Sequence, residues 1–120
     1  MGNVANFTVI RDAWNQDLYD GVDFEVQSAI DTDRRAVLTF MLHNYSEGDA
    51  TVTLRINGKK VWTWSFSEDK TRFYQEVLAA DVIHPGTNRI NCEVYRNDDG
   101  RFDFAAAELS DIVLWYRVNI

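Results

Sequence analysis

Thr51-Val52-Thr53-Leu54-Arg55-Ile56 alternates polar with apolar residues, Asn57-Gly58 interrupts the run, and Lys60-Val61-Trp62-Thr63-Trp64-Ser65-Phe66 alternates again. A period of two belongs to an extended strand that lays one face on a core and shows the other to water. The two-residue interruption sets the geometry. A tight hairpin turn that matches strand twist needs positive φ at both central residues, and Asn-Gly is the dipeptide that tolerates this best. These residues predict a β-hairpin.

The same test extends in both directions from the hairpin. Strands are expected at Val4 to Ile10, Phe24 to Ala29, Ala36 to Tyr45, Phe73 to Leu78, Arg89 to Tyr95 and Asp111 to Val118, which with the two hairpin strands makes eight. Polar turn clusters separate them, at Tyr45-Ser46-Glu47-Gly48-Asp49, Ser67-Glu68-Asp69-Lys70 and Arg96-Asn97-Asp98-Asp99-Gly100. In His84-Pro85-Gly86-Thr87 the proline presets one central φ and the glycine accepts the positive one of a type II turn. Only Leu78 to Ile83 has the pattern of a short helical turn. Four apolar strips should meet in one core: Leu38, Phe40 and Leu42; Val52, Leu54 and Ile56; Ile90, Cys92 and Val94; Ile112, Leu114, Tyr116 and Val118. The expectation is an all-β, two-sheet antiparallel sandwich. No internal repeat or linker divides the chain, so residues 1–120 are expected to form one domain.

Composition narrows the function. With 46% hydrophobic and 26% charged residues, the 120-residue chain has the apolar content a folded core needs. The net charge of −7 gives a field that repels phosphate backbones and anionic membrane surfaces. Nucleic acid is therefore excluded as an expected partner. No apolar run is long enough to span a bilayer, and the start Met1-Gly2-Asn3-Val4-Ala5-Asn6 lacks the basic and apolar regions of a signal peptide. The compartment stays unassigned. Cys92 is the single cysteine, so internal disulfides and multi-cysteine metal sites are excluded, and its phase with Ile90 and Val94 places it in the core.

Catalysis finds little support. Nucleophilic catalysis needs a base within hydrogen-bond reach of the nucleophile, and the two histidines, His43 and His84, sit in no such motif. The chain is expected not to be an enzyme. Two acidic loops, Asn97 to Asp103 and Asp17 to Asp23, concentrate oxygen ligands around a glycine. Solvated turns are the first reading and calcium loops the alternative, without the EF-hand spacing. No other cofactor is implied.

Aromatic residues make up 13% of the chain and carry the sharpest functional signal. Sugar rings stack their C–H faces on exposed Trp and Tyr beside polar groups that fix orientation. Trp115 is out of phase with Leu114 and Tyr116, so it points outward next to Arg117. Trp14 and Tyr19 lie among Asn15, Gln16 and Asp17, and Tyr95 is out of phase with Val94. These five residues, Trp14, Tyr19, Tyr95, Trp115 and Arg117, are the expected ligand-binding set. Trp62, Trp64 and Phe66 share one face, for which packing on the inner side is the first expectation.

The order Ile56-Asn57-Gly58-Lys59-Lys60-Val61, a strand from Phe73 to Leu78, a short connector, and Pro85-Gly86-Thr87-Asn88-Arg89-Ile90-Asn91-Cys92-Glu93-Val94 resembles the galactose-binding-domain-like jelly rolls. Leu109 to Tyr116 is similar to their closing strand. The likeness spans about residues 52 to 118, and the matching positions are structural. It implies a jelly-roll sandwich of the kind found in carbohydrate-binding modules and in sugar-binding domains of β-glycosidases. The expected function is thus a non-catalytic, lectin-like carbohydrate-binding module. The alternative is a structural or protein-interaction domain, homo-oligomers included, that assembles through an exposed aromatic surface.

Overall fold

The computed structural model describes residues 2–44, 50–66, 70–96, 100–101 and 107–120. Its strands are β1 (Asn3–Trp14), β2 (Val22–Val26), β3 (Val37–Asn44), β4 (Ala50–Ile56), β5 (Lys59–Phe66), β6 (Lys70–Val77), β7 (Gly86–Arg96), β8 (Gly100–Arg101) and β9 (Ala107–Asn119). The pairs β4/β5, β3/β6, β2/β7 and β1/β9 are all antiparallel and nested one outside the next. The chain is therefore one long hairpin, folded back at Asn57-Gly58 and rolled into two layers. Rolling puts the pairs alternately into a sheet ordered β1-β9-β3-β6 and a second whose main path is β2-β7-β4-β5. That is the jelly-roll form of an antiparallel sandwich.

The tip behaves as its sequence requires. Ile56 pairs with Lys59, and Asn57 and Gly58 have φ of 52° and 82°. Asn57 does a second task. Its Nδ2 donates to Val82 O at 2.9 Å and to Asn88 Oδ1 at 2.8 Å, while its Oδ1 accepts from Arg89 N at 3.0 Å. Buried Asn88 completes the knot: Oδ1 also accepts from His84 N at 2.9 Å, and Nδ2 donates to His84 O at 2.8 Å and Gly86 O at 3.1 Å. The Asn-Gly of the hairpin and the Gly-x-Asn after Pro85 are thus two halves of one hydrogen-bonded junction. Gly86 has φ 87°, as the second central position of a type II turn demands.

All four expected apolar strips are buried and join one core. Phe40 meets Trp62 edge-on at 5.0 Å, and Tyr74 lies 4.8 Å from Trp62, which closes the core between β3, β5 and β6. Cys92 is buried, and desolvation pushes its thiol well above the usual range.

Three expectations need correction. Leu78 to Ile83 forms no helix: Val82 N donates to Ala79 O at 3.2 Å in a simple turn. Trp14 does not sit in a polar loop. β1 runs on past Ile10 to pair Trp14 with Leu109, and the indole is 1% exposed. A register shift between Val9 and Arg11 breaks the alternation there, so the strand reads as ending too soon. Trp62 and Phe66 pack inward as expected, but Trp64 is 56% exposed because β5 is an edge strand with a neighbour on one flank only.

Candidate functional site

The two outer faces of the sandwich differ in kind. On the β2-β7-β4-β5 sheet the outward side chains satisfy one another. Thr51 pairs with Ser65 at 2.8 Å and Thr53 with Thr63 at 3.0 Å. Arg55 binds Glu93 at 2.6 Å, Tyr95 donates its hydroxyl to Glu93, and Thr87 donates to Glu25 at 2.5 Å. This is the solvated ladder expected on the wet side of an antiparallel sheet.

The outer face of β1-β9-β3-β6 is apolar instead. Strand register aligns Phe7, Trp115, Val37 and Val77 in one row across all four strands. Next come Val9, Val113, Thr39 and Gln75, then Ala13, Ser110, Met41 and Phe73. Phe7, Val9, Val77 and Phe73 are exposed, Phe73 at 61%, and Trp115 at 45%. Polar residues close both ends. Beyond the first row, Arg117 donates through Nε to Asn3 Oδ1 at 2.8 Å, and Asn3 Nδ2 donates to Asp31 Oδ2 at 2.8 Å, which holds the guanidinium in place. Beyond the third stand Glu108, which accepts from Asn15 Nδ2 at 3.4 Å, and His43, hydrogen-bonded to Thr71.

Trp115 is locked into this surface. Its Nε1 donates to Thr39 Oγ1 at 2.9 Å across the neighbouring strand, and Phe7 lies 5.4 Å away at 39°. The indole N–H is thus taken up by Thr39, and beside it Phe7 and Val9 present carbon to solvent. Contiguous apolar patches of this breadth with a polar border are uncommon on free monomers and mark interaction sites.

The expected ligand set does not converge. Trp115 and Arg117 share this face, whereas Tyr95 is half-buried on the opposite outer face. Tyr19 is exposed in the β1–β2 loop, whose Leu18 O accepts from Cys92 N. Trp14 is in the core and has no surface to offer. Sequence reasoning missed Phe7, Val9, Phe73 and Val77. Each lies in a strand with apolar residues on both faces, so alternation alone could not sort them.

The Asn97 to Asp103 loop lies largely outside the described residues. In the Asp17 to Asp23 loop, Arg89 donates to Asp20 O at 2.6 and 3.1 Å and to Asp23 Oδ1 at 2.8 Å. A guanidinium is thus the cation paired with these oxygens. Among the described residues no cluster of three His, Cys, Asp or Glu side chains could hold a metal.

The sequence matches no protein-family model and no curated protein. Among solved structures, latent PorU from Porphyromonas gingivalis aligns over 98% of this chain at 11% identity with a TM-score of 0.67, and this chain spans only 13% of that one. The CBM36-1 domain of a multidomain xylanase from the hindgut metagenome of Trinervitermes trinervoides aligns over 96% of each chain, at 16% identity and a TM-score of 0.45. The exo-beta-1,3-galactanase from Phanerochaete chrysosporium aligns over 96% of this chain and 27% of its own, at 16% identity and 0.48. Identities this low speak for the fold alone, and a TM-score below 0.5 adds nothing on function. The jelly-roll sandwich implied by the sequence resemblance is the fold found. Such sandwiches serve lectin domains and capsid subunits alike, so function has to be read from the surface.

Proposed function

We propose that this chain is a non-catalytic binding module that engages protein through the outer face of β1-β9-β3-β6. One observation carries the reading: nine of the twelve positions in three cross-strand rows, from Phe7-Trp115-Val37-Val77 to Ala13-Ser110-Met41-Phe73, are apolar on a face that should be wet. Covering apolar surface is favourable by about 25 cal/mol per Å², and a flat sheet face offers no cleft for a small ligand. Static light scattering tests it. The chain should show net attraction between molecules despite its charge of −7, and Phe73→Lys with Val77→Lys should turn that attraction into repulsion. Repulsion of equal strength in the unaltered chain would count against the reading.

A sugar is the second reading, favoured by the Phe7–Trp115 pair standing beside Arg117 and Asn3 at one end of the face. A glycan array run with the chain and with Trp115→Ala decides it. Saturable binding lost in the variant would support the lectin-like reading, and no binding across a broad array would remove it for those sugars.

A further inference from the structure

We infer that the protein partner is a second copy of this chain, packed face to face about a two-fold axis that lies in the interface and crosses the strands at the row Val9-Val113-Thr39-Gln75. The inference rests on the protein-binding reading above and adds the identity and geometry of the partner.

Size comes first. Four strands at ~4.8 Å spacing and five rows, polar ends included, cover roughly 600 Å² in plan, and side-chain relief brings this near the ~800 Å² per partner of a standard stable interface. A closed dimer also leaves none of the face uncovered, because an isologous contact uses one surface twice.

The choice of axis follows from the rows. An axis across the strands lays each β9 antiparallel on its counterpart and exchanges the rows on either side of the centre. Trp115 of one copy then covers Ser110 of the other, and Phe7 covers Ala13, large side chains on small ones. Val77 meets Phe73 and Val37 meets Met41. At the ends, Arg117 of each copy faces Glu108 of the other, so symmetry supplies two opposite-charge contacts at the border. Aligned sheets pack at about 30° to each other, a turn that leaves the pairings near the axis in place. An axis along the strands through the middle of the face would lay β9 over the partner's β3 and each row on itself, so Arg117 and Glu108 would stay at opposite ends and never meet. Charge therefore selects the first arrangement.

Within one copy Arg117 and Glu108 stand at opposite ends of the face on β9 and cannot touch, so a charge exchange reads the dimer alone. Sedimentation equilibrium on the full chain should show a monomer–dimer equilibrium. Arg117→Glu and Glu108→Arg should each weaken it roughly tenfold, and the double variant should regain most of the loss. Ser110→Lys, whose long side chain has no room under the partner's Trp115, should leave only monomer. If that variant folds poorly, Phe73→Lys replaces it, since Phe73 is exposed in the monomer. A chain that stays monomeric at every concentration, a dimer indifferent to Ser110→Lys, or a double variant no tighter than the singles would overturn the inference. Net attraction by light scattering without a discrete dimer would remove only this inference. Repulsion would remove the protein-binding reading with it.

Discussion

Asn88 shows what a single residue can hold. Its amide makes four hydrogen bonds while almost fully buried, joining the hairpin tip, the turn after β6 and the start of β7. Asn88→Ala would leave two donors, His84 N and Asn57 Nδ2, and two carbonyls without that partner, at about 1–3 kcal/mol for a buried group left unmatched. We expect a loss of about 3 kcal/mol in urea unfolding; under about 1 kcal/mol would mean that solvent replaces the amide. Asn88→Asp should also destabilise, because its second oxygen would face the carbonyls of His84 and Gly86. Cys92 gives a pH test. The folded chain keeps its thiol protonated where the unfolded chain releases the proton, so stability should be unaffected below about pH 8.5 and fall by about 1.4 kcal/mol per pH unit above it. Denaturant melts of the protein and of Cys92→Ala at pH 7.5 and 10 isolate this effect, since only the difference between the two belongs to the thiol; parallel losses would show that Cys92 is not its source. At this scale the sequence is legible where chemistry is local. Asn57-Gly58 declares its turn, and Cys92 its place in the core by phase. Asn88 gives no sign of its role, because its partners are brought to it by the fold.

At the scale of the element, the middle of β9 departs from a regular strand. Asp111 has φ 49° inside the strand, and the register shifts on both flanks, between Thr39 and Met41 on β3 and between Val9 and Arg11 on β1. Such bulges add local twist. Asp is one of the few residues besides Gly that adopts this conformation without a large penalty, whereas a β-branched side chain there costs about 1–2 kcal/mol. Asp111→Val should therefore destabilise by about that amount and Asp111→Gly should change stability little; equal losses would point to the carboxylate rather than the backbone. The same bulges limit what periodicity can deliver. β3, whose own residues alternate without an inserted one, has expected limits within a residue of those observed. β1 carries one, and the reading stops at Ile10, four residues before Trp14. The apolar face is hidden for a related reason. Trp115 is visibly out of phase in its own strand, but the row it shares with Phe7, Val37 and Val77 is a property of register between strands distant in sequence.

For the whole molecule, nesting decides how the chain can fold. The outermost pair, β1 with β9, joins Asn3 to Asn119, while the innermost closes across two residues at Asn57-Gly58. Closing a loop costs entropy that grows with the logarithm of its length, so forming the inner pairs first shortens the effective loop for each pair outside them. Topologies rich in such non-local pairings fold in milliseconds to seconds. The hairpin tip should accordingly be formed in the transition state and β1 should dock after it. Gly58→Ala places a side chain at φ 82°, where L-residues lose about 1–2 kcal/mol, and should appear mainly as slower folding. Ile10→Ala, on a β1 residue packed against the core, should appear mainly as faster unfolding. Stopped-flow chevrons of the two variants separate these outcomes. If Ile10→Ala slows folding as much as Gly58→Ala does, the terminal strands dock early, and the roll closes from its open end rather than from its tip.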